Sequence, residues 1–257
     1  MNKNYRYIYG PVPSWRLGSS LGIDPISAPE KACTFDCIYC QIGRTEYLTG
    51  ERKVFVPTEE IIKELGSLPA LDIDYITFSG AGEPTLAKNL GSMIKAVKQA
   101  RQEKTAVITN SSLMHREDVV KDLLLPDLVV CKLDAPSQDI FERVNRPVKG
   151  ITLDGVVRAI KDFRNSYKGK LALQIMFMDE NKVCAGELAR ISKEIHPDEV
   201  QLNTPLRPCG IKPLTRDEMA AIEGYFRGLN VISVYGAVKK NVHPISSEDT
   251  LKRRGKT

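Results

Sequence analysis

The chain has 257 residues, of which 42% are apolar, and a formal net charge of +5. This length allows a sizeable core, most simply in one domain, and the charge is modest for a nucleic-acid-binding protein, which would present a large basic face. No 18-residue apolar run and no signal segment is present, which argues against a membrane-spanning or secreted protein, so we expect a cytoplasmic monomer. Six cysteines then indicate metal or redox chemistry rather than disulfides.

The N-terminal residues 1–17 combine alternating tyrosines with the stretch Gly-Pro-Val-Pro. This pattern predicts a short strand and an extended, turn-rich segment, which we interpret as a flap over one end of the core. A first core strand is predicted over 21–24, and residues 25–57 form a long loop of the kind that is usually functional. At the other end, the basic residues of 238–257 are interpreted as a solvated, frayed tail.

From residue 58 onward, helical and extended patterns alternate. Helices are predicted over 58–65, with Thr58 as N-cap, and over 88–102, 116–125, 140–144, 152–166, 183–195 and 215–227, the last capped by Thr215. Strands are predicted over 74–78, 105–109, 127–133, 170–178 and 199–203, with a further one over 231–235. Six β-α repeats imply a parallel sheet with outer helices, and six are too few for a closed eight-stranded barrel. We therefore predict a single α/β domain with an open, partial (β/α)6 barrel over residues 18–237.

Three cysteines, Cys33, Cys37 and Cys40, lie close together in the long loop. This spacing does not favour disulfide pairing, and it brings three thiolates into one loop, as neighbouring corners of an iron–sulfur cubane require. Three ligands leave one iron without a protein thiolate. Zinc is the competing interpretation, although a structural zinc site would need a fourth ligand, usually from a second close pair, and no such pair follows.

The cysteine spacing, with Tyr39 just before the last cysteine, resembles the signature of the radical S-adenosylmethionine (SAM) superfamily. Residues 79–84, Ser-Gly-Ala-Gly-Glu-Pro, are similar to that family's motif for the SAM amino group. The resemblance covers residues 18–237 and implies a [4Fe–4S] cluster whose fourth iron is chelated by SAM. Within the superfamily, residues 9–14 and the Gly-Glu-Pro form look most like the branch grouped with wyosine-type tRNA-modifying synthases.

This resemblance implies an enzyme that cleaves SAM reductively to methionine and a 5′-deoxyadenosyl radical, which abstracts hydrogen from a substrate. The substrate would be a small molecule or a tRNA base, and the electron would come from a ferredoxin- or flavodoxin-type reductant. The alternatives are an activase that installs a glycyl radical in a partner protein, whose usual extended cysteine motif is not seen, and a non-catalytic metal-binding module.

The resemblance also assigns the contacts with SAM. Gly80, Gly82 and Glu83 would surround the ammonium, with a surface turn residue as the alternative for Glu83. The other expected contacts are Tyr39 beside the adenine, and Asn110 and Gln174 at the ribose or carboxylate.

Reactive groups of β/α barrels gather where strands end, and two further candidates follow strands. Lys132 and Asp134 lie on the same side of a strand, so facing inward they would form a buried charged pair. This pair is either a structural ion pair or, in a wyosine-like enzyme, the source of a lysine imine with a carbonyl substrate. Cys209 follows the sixth strand beside Arg207, and we predict a hydrogen-donating thiol near the barrel mouth, with a half-buried loop residue as the alternative.

Cys131 sits in an apolar strand and is expected to be inert packing, while Cys184 and Cys209 are expected at the catalytic end. A second cluster built from these three dispersed cysteines is a weaker alternative. The three histidines show no metal-binding spacing.

Overall fold

The computed structural model describes residues 5–238 and 240–254. The strands are β1 Ile8–Ser14, β2 Gly18–Ile23, β3 Ala32–Cys33, β4 Tyr47–Leu48, β5 Tyr75–Phe78, β6 Lys104–Thr109, β7 Leu128–Lys132, β8 Lys170–Met176, β9 Glu199–Asn203 and β10 Val231–Ser233. The helices are α1 Thr58–Gly66, α2 Leu90–Ala100, α3 Glu117–Leu123, α4 Gln138–Val144, α5 Leu153–Ser166, α6 Ala185–Ile195, α7 Arg216–Glu223 and α8 Ser247–Arg254.

Within these residues, eight strands form one sheet in the order β1-β2-β5-β6-β7-β8-β9-β10. All neighbouring strands from β2 to β10 are parallel, and β1 runs antiparallel to β2 at the edge. The curled sheet with its helices confirms the predicted α/β partial barrel. The six predicted core strands are β2 and β5 to β9, and β10 continues the parallel sheet.

Burial explains the alternation of strands and helices. Strand β7 is buried over residues 128–131, as expected for a parallel strand covered on both faces. Helix α2 buries Leu90, Met93, Ile94 and Val97, which recur at helical spacing on the face that packs against the sheet. Thr215 caps α7 in a reciprocal pair with Glu218, as predicted, whereas Thr58 is the first residue of α1 rather than its cap.

The N-terminal segment is a strand of the sheet, so its interpretation as a flap was wrong. Strand β1 includes the whole Gly-Pro-Val-Pro stretch and pairs with β2 from Ile8 to Ser14. Just before it, the Glu64 carboxylate of α1 accepts hydrogen bonds from the backbone N–H groups of Arg6, Tyr7 and Ile8 at 2.7–2.9 Å. These bonds satisfy edge groups that would otherwise lack partners, which holds the segment in place.

The basic tail is also ordered where the structure describes it, which corrects the expectation of a frayed terminus. Residues 247–254 form α8, which packs on β1. Asp249 accepts a hydrogen bond from the Tyr5 N–H at 3.2 Å, and the Thr250 hydroxyl accepts one from the Gly10 N–H at 3.1 Å. Lys256 lies outside the described residues. None of the helices in the described ranges is long and apolar enough to cross a membrane.

Candidate active site

The three loop cysteines each receive one N–H donor from a different part of the chain. The Lys31 ammonium lies 3.0 Å from the Cys40 sulfur. The Asn145 amide lies 3.5 Å from the Cys37 sulfur, and the Asn110 amide lies 3.7 Å from the Cys33 sulfur. Such donors stabilise thiolate ligands and tune the reduction potential of a cluster.

The three cysteines are half-buried and unpaired. Burial raises the pKa of Cys37 to about 11 and raises that of Cys33 as well. A bound metal removes the proton of a coordinating thiol outright. In the described part of the chain, no three His, Cys, Asp or Glu side chains surround a point that one metal ion could occupy. Cubane ligands bind separate irons and need not converge on one point, so this result does not test a cluster. Three thiols in one loop are the donor set that a cluster uses, and the cluster itself stays a prediction.

Glu83 is buried and ties the turn after β5 to the end of β6. Its carboxylate accepts hydrogen bonds from the Thr85 N–H and hydroxyl at 3.1 and 2.7 Å, from the Thr109 hydroxyl at 2.6 Å and from the Asn110 N–H at 2.7 Å. The alternative of a surface turn residue is therefore wrong. The contact of Glu83 with a SAM ammonium stays a prediction, because these four donors already occupy its carboxylate.

The two glycines of this turn allow close packing against the cysteine loop and β2. A Cβ atom on Gly82 would lie 1.9 Å from the Ala32 carbonyl oxygen, next to Cys33. Gly80 has a φ of +144°, and a Cβ atom there would lie 2.4 Å from the Asp24 carboxyl carbon. Only glycine fits at either position without a shift of the neighbouring atoms. The turn therefore positions the cysteine loop, in addition to any contact with SAM.

Lys132 and Asp134 form the charged pair that their alternation predicts, with 3.1 Å between the ammonium of the half-buried lysine and the buried carboxylate. The Asp134 carboxylate also accepts hydrogen bonds from the Tyr39 hydroxyl, the Asn145 amide at 2.9 Å and the Met176 N–H at 2.8 Å. The Lys132 ammonium lies 5.0 Å from the Tyr39 ring centre. Asn145 thus joins this pair to Cys37, and the pair is part of one network with the cysteine loop. Its catalytic role stays a prediction.

A cavity of about 240 Å³ opens beside the cysteine loop, inside the curled sheet. Five of the predicted site residues line it: Tyr39, Cys40, Gly80, Lys132 and Gln174. The side-chain amide nitrogen of Gln174 is buried and has no hydrogen-bond partner in the described chain. Gly82, Glu83, Asn110, Asp134 and Cys209 do not line this cavity. The Asn110 amide instead donates to the Thr34 hydroxyl at 2.6 Å, so its contact with SAM also stays a prediction.

The cavity-lining residues that the sequence interpretation missed include Tyr9, Arg16, Arg253 and Arg254. The Tyr9 hydroxyl lies 2.7 Å from the Ser79 hydroxyl, at the start of the glycine turn. Its ring covers Gly22, where a Cβ atom would lie 2.1 Å from the ring. The resemblance of residues 9–14 to a known motif was the available signal for Tyr9, and the three arginines lay in segments interpreted as a flap and a tail.

The remaining cysteines, Cys131, Cys184 and Cys209, lie in three different parts of the fold, and a second cluster built from them stays a prediction. Cys131 is buried in β7, with its sulfur 3.6 Å from that of Met114, which confirms a packing role. Cys184 directly precedes α6. The Cys209 thiol donates to the Ile211 carbonyl at 3.4 Å, and Arg207 rather than Cys209 lines the cavity. Hydrogen donation by Cys209 stays a prediction.

Comparison of the sequence with known proteins identifies the family of this chain. Residues 30–190 match the model of the Radical SAM superfamily. The chain belongs to the radical SAM superfamily. A UPF0026 protein of Synechocystis sp. is 41% identical over 237 residues, which cover 92% of this chain and 86% of that protein. A UPF0026 protein of Methanocaldococcus jannaschii is 40% identical and covers 91% of this chain and 76% of that protein. This radical SAM protein is therefore also a UPF0026 homologue.

Solved structures support the fold assignment for this radical SAM protein. Streptococcus suis SuiB bound to S-adenosylmethionine superposes with a TM-score of 0.63 at 17% identity. The match covers 80% of this chain and 48% of SuiB, so the chain spans about half of that protein's length. At this identity the likeness shows a shared fold.

Proposed function

We propose that this radical SAM protein is an enzyme that holds a [4Fe–4S] cluster on Cys33, Cys37 and Cys40, and SAM in the adjoining cavity. The observation that carries the proposal is the position of Cys40, which lines the cavity together with Gly80, Lys132 and Gln174. When bound, the cluster and SAM supply reductive cleavage of SAM to methionine and a 5′-deoxyadenosyl radical, for hydrogen abstraction from a substrate.

The chain's own residues orient these groups and exclude water. Lys31, Asn110 and Asn145 place N–H donors on the three sulfurs, and Glu83 fixes the turn that supports Cys33. Gly80 brings main chain to the cavity wall, where a SAM ammonium would find carbonyl acceptors. Gln174 offers an unpaired amide for the SAM carboxylate or ribose.

The cavity favours a substrate of the enzyme's own over the activase alternative. Residues of β1 and α8, including Tyr9 and Arg254, line the cavity and wall it on one side. A partner's glycyl loop would need an open groove to reach the radical. The wyosine-type resemblance, which would make a tRNA base the substrate and Lys132 an imine-forming residue, is supported by residues 9–14 and the Gly-Glu-Pro turn alone.

Anaerobic reconstitution followed by dithionite reduction tests the proposal. Reduced protein with SAM should release 5′-deoxyadenosine and methionine slowly even without substrate, as measured by liquid chromatography. Cys184→Ala, which changes a cysteine outside the loop, should behave like the parent. A reconstituted cluster that cleaves no SAM would support the non-catalytic alternative instead.

A further inference from the structure

One side of the cavity is built mainly of cations. Five of its lining residues are Arg16, Lys132, Arg207, Arg253 and Arg254. Lys132 pairs with Asp134 at 3.1 Å, and the Arg253 Nε lies 3.7 Å from Asp24. The other three guanidinium groups have no carboxylate within ion-pair distance in residues 5–238 and 240–254. Within that part of the chain, none of these three charges has an ion-pair partner, although the Arg16 guanidinium carbon lies 5.3 Å from the centre of the Trp15 ring.

Burial and mutual repulsion act against these charges. Burial, followed by the nearby Arg207 and Arg254, lowers the pKa of Arg16 to about 10. Burial and the neighbouring Arg254 lower the pKa of Arg207 to about 10, and burial lowers that of Arg254. The buried Nε atoms of Arg16 and Arg253 have no hydrogen-bond partner among the described residues. The half-buried guanidinium groups of Arg16, Arg207 and Arg254 line the same cavity without a carboxylate partner in the described chain, so the arrangement points to a missing anion.

The arginines are held by three different elements. Arg16 lies in the turn between β1 and β2, Arg207 follows β9, and Arg253 and Arg254 end α8. The Arg207 guanidinium donates to the carbonyl oxygen of Arg254, which draws the end of α8 to the loop after β9. Arg253 donates to the Arg6 carbonyl and, at 3.2 Å, to the Ser27 hydroxyl. The Arg207 and Arg253 side chains are therefore anchored by hydrogen bonds at the cavity wall.

SAM itself does not balance these charges. It carries a carboxylate, an ammonium and a sulfonium, so its net charge is positive. Three arginines without carboxylate partners favour a ligand with more than a single negative charge, and guanidinium groups bind phosphate oxygens in bidentate fashion. We propose that Arg16, Arg207 and Arg254 bind the phosphate group of a small phosphorylated substrate. The assignment of this ligand as a substrate rests on the proposed function, whereas the phosphate site itself does not.

A small molecule fits this wall better than RNA does. The cations line a cavity inside the fold rather than an outer surface. The exposed Lys252 of α8 is already paired with Glu248 at 2.9 Å, so it adds no unpaired charge to an outer basic surface. RNA binding would favour an extended basic surface, and the chain's net charge is only +5.

Calorimetric titration of the iron-free full chain with pyrophosphate, at fixed ionic strength, tests the site without any cluster chemistry. Pyrophosphate should bind the parent, with an affinity that falls as KCl is raised. Arg16→Gln and Arg254→Gln should each weaken binding by about tenfold or more, since each removes a charge-assisted contact. Lys252→Gln, the matched control on the same helix, should stay within about twofold of the parent.

Folding is checked by circular dichroism and thermal melting. If Arg16→Gln fails to fold, Arg254→Gln decides, because the Arg254 side chain makes no hydrogen bond or ion pair in the described residues. The proposal is overturned if the parent does not bind millimolar pyrophosphate, or if all variants bind it equally well.

Two further measurements separate the sources of the anion. If Arg254→Gln loses SAM affinity in reconstituted protein but keeps pyrophosphate, the arginines serve the SAM carboxylate, and the proposal is wrong. If bulk tRNA binds more tightly than pyrophosphate and depends on the same arginines, the phosphate belongs to RNA, which also overturns it. Pyrophosphate binding without SAM cleavage would refute the proposed function and support the phosphate site, whereas SAM cleavage without pyrophosphate binding would do the reverse.

Discussion

The polar groups around the cysteine loop (the cysteine side) are hydrogen-bonded within the protein, whereas those of the cavity-lining Arg16, Arg207, Arg253 and Arg254 (the arginine side) are only partly so. On the cysteine side, Glu83 and Asp134 each accept several hydrogen bonds, and every loop thiol has one N–H donor. On the arginine side, Arg16 and Arg254 have no carboxylate partner in the described chain. The first side is preorganised by its own residues, whereas the second would be completed by the anion that we propose.

The largest effect should come from removing the thiols that the cysteine side positions. The parent should hold about four irons and four sulfides per chain after anaerobic reconstitution, and replacing Cys33, Cys37 and Cys40 together with Ala should abolish both. Iron and sulfide analysis measures this. A full cubane in the triple variant would contradict the assignment, and about eight irons in the parent would point to a second cluster.

The next effect tests whether the glycine turn supports the cysteine loop. Gly82→Ala places a Cβ 1.9 Å from the Ala32 carbonyl, so the backbone beside Cys33 must shift. We expect a loss of about 3 kcal/mol in the free energy of unfolding, with iron content and SAM binding falling together. Gly66→Ala in α1 is the control, since its Cβ would meet nothing within 4 Å. Loss of SAM binding with normal iron content would instead restrict Gly82 to the SAM contact.

Asp24 lies between the two sides, because it accepts from the Ala81 N–H at 3.2 Å and lies 3.7 Å from Arg253. Burial raises its pKa from 3.8 to about 6. The folded state therefore retains a proton that the unfolded state releases, and this group's contribution to stability falls as pH rises from about 4 to about 6.

Asp24→Asn should remove this pH-dependent component, which amounts to about 3 kcal/mol across the window. Urea unfolding at several pH values from about 4 to 7 measures it. An unchanged slope in the variant would show that Asp24 titrates normally in the folded protein.

The smallest effect concerns the donors on the sulfurs. Lys31→Met removes a positive charge and an N–H donor 3.0 Å from Cys40, and both stabilise the reduced, more negative cluster. The midpoint potential of the reconstituted cluster should fall by on the order of tens of millivolts. Redox titration followed by electron paramagnetic resonance measures the shift. Lys63→Met in α1 is the control, and an equal potential in all three proteins would exclude the donor's influence.

The sequence predicts the parallel core and the cysteine side well, for a physical reason. Buried strands such as β7 and amphipathic helices such as α2 carry periodic apolar patterns, and Cys33, Cys37 and Cys40 lie close together in the chain. Even the inward pair of Lys132 and Asp134 follows from strand alternation. The spacing of residues within short stretches of the chain is therefore enough to predict these elements and pairs.

The arginine side escaped prediction because its order depends on contacts between distant segments. Helix α8 is polar and docks through side chain to backbone bonds, such as Thr250 with Gly10, which leave no apolar periodicity. Arg16 and Arg254 are far apart in the chain, and nothing local shows that they share a cavity. The sequence also did not predict that Glu83 is buried. Three of the four hydrogen-bond donors to its carboxylate are side-chain hydroxyls or lie at the end of the neighbouring strand.

The bond between Gly10 and Thr250 also sets an order of events during synthesis. These residues are 240 positions apart, and a ribosome adds about 5–20 residues per second. The first strand therefore leaves the ribosome roughly 10–50 s before its C-terminal partner exists. The cysteine loop and its glycine turn are complete early in that interval, whereas Arg253 and Arg254 are added only at its end. In a nascent chain the cysteine loop is thus made before the residues of α8 that line the cavity beside it.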